Sequence, residues 1–140
     1  MLLGGCANPY IAPNKSNNTS NLEIKLLTNS SAGGVGVYIG NKGNCLTDKF
    51  IGGMKKGHTF LSDKATIQTI IKSKSEVTLK INVADTILYT CETIIKFKPK
   101  SKESYLAEYK YHLPGCKIQL YKVTNGKKII MRNDKVKICQ

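Results

Sequence analysis

Short segments in which apolar and polar residues alternate run through the chain from Leu22 onward. The clearest is Glu76–Val83, in which the valine, leucine and isoleucine residues all fall at odd positions. Because successive side chains of a strand point to opposite faces, this pattern predicts a strand with one buried and one solvent-facing side. An amphipathic helix would need an apolar period of about 3.6 residues. The alternation therefore favours β-structure.

Eight further segments have the same character, and turn residues separate them. Thr124-Asn125-Gly126-Lys127 is typical of a type I′ hairpin, and Leu113-Pro114-Gly115 is typical of a tight turn. Nine short strands without a long helical pattern predict an all-β fold, and we expect an antiparallel β-sandwich, immunoglobulin-like or related. The eight segments are Leu22–Leu27, Val35–Ile39, Thr66–Lys72, Thr90–Lys98, Tyr105–His112, Cys116–Val123, Lys127–Arg132 and Lys135–Cys139.

The stretch Asn41–Lys64 is the least regular part of the chain, with glycines in mixed apolar and basic surroundings. Three interpretations remain open for it. It is a loop that carries function, a plain long connection, or a helical turn packed against one sheet.

The first residues, Leu3-Gly4-Gly5-Cys6, match the lipobox that ends a bacterial lipoprotein signal, in which the cysteine thiol receives a lipid. The basic and apolar regions of a secretory signal are expected upstream of this motif. The alternative is a chance match in a cytoplasmic protein. No run in the chain approaches the roughly 18 apolar residues of a membrane-spanning helix, so we expect attachment through a lipid on Cys6.

Residues 7–21 contain two prolines and many asparagines and serines, without a periodic apolar pattern. This composition is typical of a flexible linker. The sequence thus predicts a signal remnant at 1–6, a flexible linker at 7–21 and a single β-sandwich domain at 22–140.

The net charge of +13 is large for 140 residues and favours anionic partners such as anionic lipid, lipopolysaccharide or a wall polymer. Arg132 is the one arginine among 22 basic residues. Specific nucleic-acid recognition relies on the arginine guanidinium, so we do not expect a nucleic-acid partner. The lysines are spread over every predicted strand, and a generally solvated basic surface is the simpler interpretation.

Beyond Cys6 the chain has an even number of cysteines, Cys45, Cys91, Cys116 and Cys139, with no C-x-x-C pair. Zinc sites usually show close ligand spacing, so we expect neither a metal nor another cofactor. Two disulfides in an oxidising compartment fit this spacing better. Four cysteines allow three pairings, and the spacing does not choose among them.

Other candidates for chemistry are weak. Gly34-Val35-Gly36 lacks the helix start that a phosphate loop needs, and we expect strand glycines there. His58 and His112 stand apart from any nucleophile motif, so no catalytic residue is predicted. Tyr105, Tyr109 and Tyr111 share one strand face, which we expect to point inward rather than to form a stacking platform.

The stretch from Thr66 to Val123 contains a cysteine, an F-x-P motif, a tyrosine-bearing strand and a second cysteine that opens the next strand. These residues are Cys91, Phe97-Lys98-Pro99, Tyr105 and Cys116. In this arrangement the chain resembles a group of small bacterial lipoproteins. The resemblance implies a lipid-anchored β-sandwich and a Cys91–Cys116 disulfide, which leaves Cys45 for Cys139. It assigns no biochemical activity.

We therefore expect a lipid-anchored cell-envelope protein that is not an enzyme and that meets anionic envelope components. Ala7 stands where inner-membrane lipoproteins carry aspartate, so sorting to the outer membrane is expected. One alternative is an inhibitor of a host hydrolase such as lysozyme, although two basic proteins would repel each other. The other is a small envelope hydrolase that uses Cys45 or a histidine.

Overall fold

The computed structural model describes residues 8–28, 35–40, 49–54, 63–84, 90–112, 115–132 and 136–138. These residues form strands and connections without a helix, and the predicted all-β class is confirmed. The eleven strands are β1 (Asn8–Pro9), β2 (Thr19–Thr28), β3 (Val35–Gly40), β4 (Lys49–Met54), β5 (Asp63–Lys72), β6 (Val77–Ala84), β7 (Thr90–Phe97), β8 (Ser104–His112), β9 (Gly115–Thr124), β10 (Lys127–Ile130) and β11 (Val136–Ile138). Within these ranges no helix has the length and apolar character to cross a membrane.

Two sheets pack face to face as a β-sandwich, as the alternation predicted. The six-stranded sheet has the order β1-β4-β3-β6-β7-β11, and the five-stranded sheet has the order β10-β9-β8-β2-β5. All neighbours are antiparallel except β1 with β4 and β2 with β8. The parallel pair places the start of β2 level with the start of β8, because Asn21 is the partner of Ser104.

The core lies between the sheets and consists of the alternating apolar positions. Leu22, Ile24 and Leu26 fill it from β2, and Leu79 and Ile81 fill it from β6; all five are almost fully buried. Each such side chain contributes about 1.5–3 kcal/mol of burial free energy. The alternation that predicted the strands is thus the division between core and solvent.

All nine predicted strands are present, with small shifts at their ends, and two strands were not predicted. One of these is β4, which lies in the irregular stretch Asn41–Lys64. Its pairing with β3 shifts register between Val37 and Tyr38, and Gly52 there has a φ of 153°. A bulge and two adjacent glycines remove the period that marks a strand in sequence.

The predicted flexible linker is wrong where the segment forms strands, at residues 8–9 and 19–21. Asn8 and Pro9 form β1, and the Tyr10 amide donates a hydrogen bond of 2.8 Å to the Phe50 carbonyl. The Tyr10 hydroxyl donates to the Ile70 carbonyl at 2.7 Å, and the ring packs against the core. β2 already begins at Thr19, three residues before the predicted domain boundary. One aromatic residue with a polar tip anchors a segment whose average composition suggests disorder.

Candidate functional site

One end of the sandwich gathers the loops that join its two sheets. It comprises residues 14–18, 72–76, 98–103 and the turn 124–127, and it is called the basic end below. β5, β7 and β9 finish here, and β2, β6, β8 and β10 start here. The alternation of strand direction therefore brings together chain segments that are far apart in sequence.

Hydrogen bonds between these loops fix the basic end. The Ser73 amide donates to the Asn18 carbonyl at 3.0 Å, and the Lys74 amide donates to the Pro99 carbonyl at 2.9 Å. The Lys102 amide donates to the Thr19 carbonyl at 2.8 Å. Buried backbone donors need such partners, so the loops hold one arrangement rather than several. The lysines that they carry are held at defined places.

Exposed lysines dominate this end. Its two described carboxylates are each ion-paired, Glu76 with Lys96 at 3.9 Å and Glu103 with Lys122 at 2.9 Å. The exposed lysines have no ion-pair partner among the residues that the structure describes. They are Lys15, Lys72, Lys74, Lys98, Lys100, Lys102 and Lys127. The end therefore carries a concentrated positive charge.

A cavity of about 430 Å³ opens at the basic end between β7, β8, β9 and β10. Its exposed apolar surface comes from β10, where Ile129 is 55% exposed, and the nearly buried Phe97 and Tyr105 rings, whose centroids are 5.4 Å apart, form its floor. Its polar rim carries four lysines and two glutamates, a net charge of +2. We call it the lysine-lined cleft; its residues are Glu76, Lys96, Phe97, Lys98, Lys100, Glu103, Tyr105, Lys122, Ile129, Ile130 and Met131.

Tyr105 connects the apolar and the charged parts of the cleft. Its hydroxyl accepts a hydrogen bond of 2.8 Å from the Lys100 amide and donates to Glu103 Oε2 at 3.4 Å. Burial raises the pKa of Tyr105, and the Glu103 charge raises it further, against a lowering by the Lys100 amide. The tyrosine is therefore a neutral donor at physiological pH and orients Glu103 toward Lys122.

A second cavity, of about 520 Å³, opens at the same end under the N-terminal segment 9–14. Its lining is mostly apolar, with Tyr10, Ile39, Ile71 and Val77 as the main contributors. The charged residues among its lining are Lys49 and Lys72. The two cavities thus flank the loops of the basic end, and lysines border both.

The cysteines are described in part. Cys116 forms a disulfide, as the sequence predicted for it. Its Sγ lies 3.5 Å from the Thr93 hydroxyl on β7, and Cys91 precedes Thr93 by two residues on that strand. The Cys91 side chain is not described, so the Cys91–Cys116 pairing stays a prediction. Cys6, Cys45 and Cys139 lie outside the described residues.

The inward interpretation of the tyrosine strand is confirmed for the two tyrosines that the structure describes. Tyr105 is 3% exposed and Tyr109 is fully buried. The exposed aromatic pair is instead Tyr38 with Phe50 on the six-stranded sheet, with the Lys80 ammonium 4.5 Å from the Tyr38 ring centroid. Their strands are neighbours in space, and β4 was not predicted, so the pair had no signal in the sequence.

The structure does not describe several of the candidate residues that the sequence offered for chemistry. Gly34 and His58 lie outside them, and His112 ends β8 without a described side chain. No three of the described histidine, cysteine, aspartate and glutamate residues come together in a group that could hold a metal ion. No protein-family model matches the chain, and no curated protein matches its sequence.

Proposed function

We propose that this protein is a lipid-anchored, non-enzymatic binding module of the bacterial cell envelope, and that its lysine-lined cleft holds an anionic amphiphile. The observation that carries the proposal is the composition of the cleft. Exposed, unpaired lysines border an aromatic and aliphatic surface within one cavity. A ligand with a phosphate or carboxylate head and an apolar chain satisfies both parts at once.

The charged part of the cleft suits a phosphate or a carboxylate. Lys98 and Lys100 are exposed and unpaired, whereas Lys122 is already occupied by Glu103. Ammonium groups on flexible stems bind phosphate as point charges, without the fixed geometry of arginine. Lys98 and Lys100 are therefore the residues that hold the headgroup.

The apolar part suits an alkyl chain. Ile129 and Ile130 on the edge strand β10 are 55% and 41% exposed, next to the buried Phe97. Each methylene that leaves water contributes about 0.8 kcal/mol. A chain of a few methylenes against the exposed Ile129 and Ile130 side chains thus adds about 2 kcal/mol or more to the affinity.

The anchoring part of the proposal rests on Leu3-Gly4-Gly5-Cys6 and on the resemblance described above. Outer-membrane sorting belongs to the same proposal. Intact-mass spectrometry of the protein from membranes is expected to show a lipid on Cys6, absent in Cys6→Ser. A Cys6 peptide without added mass would remove the anchor and leave the cleft to be tested alone.

The cleft is tested by calorimetric titration with lysophosphatidylglycerol below its micelle concentration. The double variant Lys98→Glu with Lys100→Glu is expected to bind at least about tenfold more weakly, because two charge-assisted contacts are lost. The matched control is Lys64→Glu with Lys110→Glu, the same charge change at exposed positions on β5 and β8 far from the cleft. It is expected to keep most of the affinity.

Two ligands separate the parts of the amphiphile. Lysophosphatidylcholine, with a neutral headgroup, and glycerol phosphate, without a chain, are both expected to bind more weakly than lysophosphatidylglycerol. Equal loss in the cleft and control variants would show general charge attraction and contradict a site in the cleft. Absence of binding by the unmodified chain would contradict the proposal outright.

A further inference from the structure

We infer that the basic end is a docking surface for an anionic lipid bilayer, so that the lysine-lined cleft opens toward the membrane. The inference rests on the proposed function for the anchor at Cys6. Beyond the proposed function, it gives the orientation of the domain on the membrane. It also assigns the bilayer as the partner of the lysines that lie outside the cleft. Three features support it.

The first feature is where the N-terminal strand enters the fold. Asn8 pairs with Lys49, the first residue of β4, and β1 runs parallel to β4 away from the basic end. The chain therefore enters β1 from the side of the basic end. Cys6 precedes Asn8 by two residues, a span of at most about 7 Å. A lipid on Cys6 leaves this end of the domain no room to move away from the bilayer.

The second feature is the density of exposed lysines at this end. Exposed lysines outside the cleft, such as Lys15, Lys72 and Lys74, extend the positive surface across the whole end. The described carboxylates there, Glu76 and Glu103, are both neutralised by lysines. An anionic surface gains about fivefold in affinity for each lysine that reaches it, so seven exposed lysines make a strong combined contact.

The third feature is an apolar residue in the same surface. Ile11 is 86% exposed and lines the second cavity of this end together with Lys49 and Lys72. Peripheral membrane contacts combine lysines with a few apolar side chains that enter the headgroup boundary. A soluble anionic polymer has no apolar layer in which the Ile11 side chain could be buried. Ile11 therefore favours the bilayer as the partner.

The chain contains no tryptophan, so a single introduced tryptophan reports on one surface. The experiment uses the full chain with Cys6→Ser, which isolates the surface from the anchor. Vesicles contain equal parts of phosphatidylglycerol and phosphatidylcholine with brominated acyl chains. We expect Ile11→Trp to be quenched and blue-shifted on these vesicles. Thr66→Trp, at an exposed β5 position away from the basic end, is expected to stay unquenched.

Charge reversal identifies the docking residues. Lys15 and Lys74 lie outside the cleft lining. The double variant Lys15→Glu with Lys74→Glu is expected to lower vesicle partitioning at least about tenfold. Lys64→Glu with Lys110→Glu is the control and is expected to lower it much less. Partitioning of the Cys6→Ser chain without further substitutions is expected to fall steeply when salt rises from about 0.05 M to about 0.5 M.

The docking inference and the proposed function fail separately. Binding of monomeric lysophosphatidylglycerol is expected to be unchanged in Lys15→Glu with Lys74→Glu, because these residues do not line the cleft. Loss of vesicle partitioning with retained lysolipid binding supports docking through the basic end. Equal quenching of both tryptophans, or equal loss in the Lys15/Lys74 and Lys64/Lys110 variants, overturns it whatever the cleft binds.

Discussion

At the residue scale, two lysines of the basic end adopt a backbone conformation that favours glycine. Lys74 has a φ of 67° and Lys102 a φ of 65°. The left-handed region costs a residue with a Cβ about 1–2 kcal/mol. The amides of both residues make the hydrogen bonds that join the loops, so the surrounding structure maintains this strain. The strained lysines lie on the proposed docking surface, where such strain is often functional.

Replacing Lys102 with glycine is expected to stabilise the fold. Relief of the left-handed backbone outweighs the extra entropy of glycine in the unfolded chain, which leaves a net gain of about 0.5–1 kcal/mol. Urea denaturation measures the free energy of unfolding. Lys98→Gly is the control, since Lys98 has no positive φ, and it is expected to destabilise by about 0.5–1 kcal/mol. A lower free energy of unfolding in Lys102→Gly would contradict the inference that the backbone is strained at this position.

Tyr10 gives the fold a dependence on high pH. Burial raises its pKa from 10.0 to about 12, and its neutral hydroxyl donates to the Ile70 carbonyl. Because the folded pKa lies above the unfolded one, the contribution of Tyr10 is complete below pH 10.0 and is lost as pH rises toward about 12.

The stability difference between the unmodified chain and Tyr10→Phe is therefore expected to shrink across this range. At neutral pH Tyr10→Phe is expected to cost about 1 kcal/mol for one hydrogen bond. Urea titrations at several pH values measure the difference, in which effects common to both chains cancel. A difference that stays constant up to pH 12 would show that the hydroxyl is not held as described.

At the element scale, the sequence predicts strands well where one face is buried. It fails where the alternation of apolar and polar residues is absent. The long central strands, such as β2 and β6, bury alternate residues in the core, so the cause of the pattern is the cause of the fold. The edge strand β10 is an exception, because all four of its residues are exposed. β1 has two residues and cannot show a period, and β4 contains Gly52 and Gly53 at a bulge. These two strands are stabilised by pairing with neighbouring strands, and the residues of a strand alone do not reveal which strand it pairs with.

The N-terminal segment provides a direct measurement at this scale. The Tyr10 amide donates to Phe50, whereas the Ile11 amide has no acceptor among the described residues. Hydrogen exchange is therefore expected to be slow at residue 10 and fast at residue 11. Tyr10→Ala is expected to speed exchange at position 10, while Ile81 in the central strand β6 stays protected. Fast exchange at Tyr10 in the unmodified chain would restore the interpretation of a flexible linker.

At the scale of the whole molecule, the sequence could not show that the lysines gather at one end. Lys15, Lys74 and Lys100 stand in three connections far apart in the sequence, and strand direction and the parallel β2–β8 pairing bring them together. A solvated surface with evenly spread charge was the simpler interpretation of the composition. The F-x-P motif was the closest local signal, because Phe97 and Lys98 line the cleft.

Gathering like charges at one end has a cost in stability. The lysines of the basic end repel one another at low salt, and salt weakens this repulsion because the screening length is about 10 Å at 0.1 M. Removing one positive charge from this cluster is therefore expected to stabilise the free protein. Residues that attract a ligand or a membrane commonly lower stability in this way.

Lys74→Glu is accordingly expected to raise the free energy of unfolding by about 0.5–1 kcal/mol at low salt, and Lys64→Glu by less. Lys64 is the control because it is exposed on β5 outside the cluster. Urea denaturation at about 0.05 M and about 0.5 M salt measures both, and the gain for Lys74→Glu is expected to vanish at high salt. Equal gains for the two variants would mean that only the net charge matters. In that case the positive charge would not be concentrated at the basic end, and docking would depend on the anchor alone.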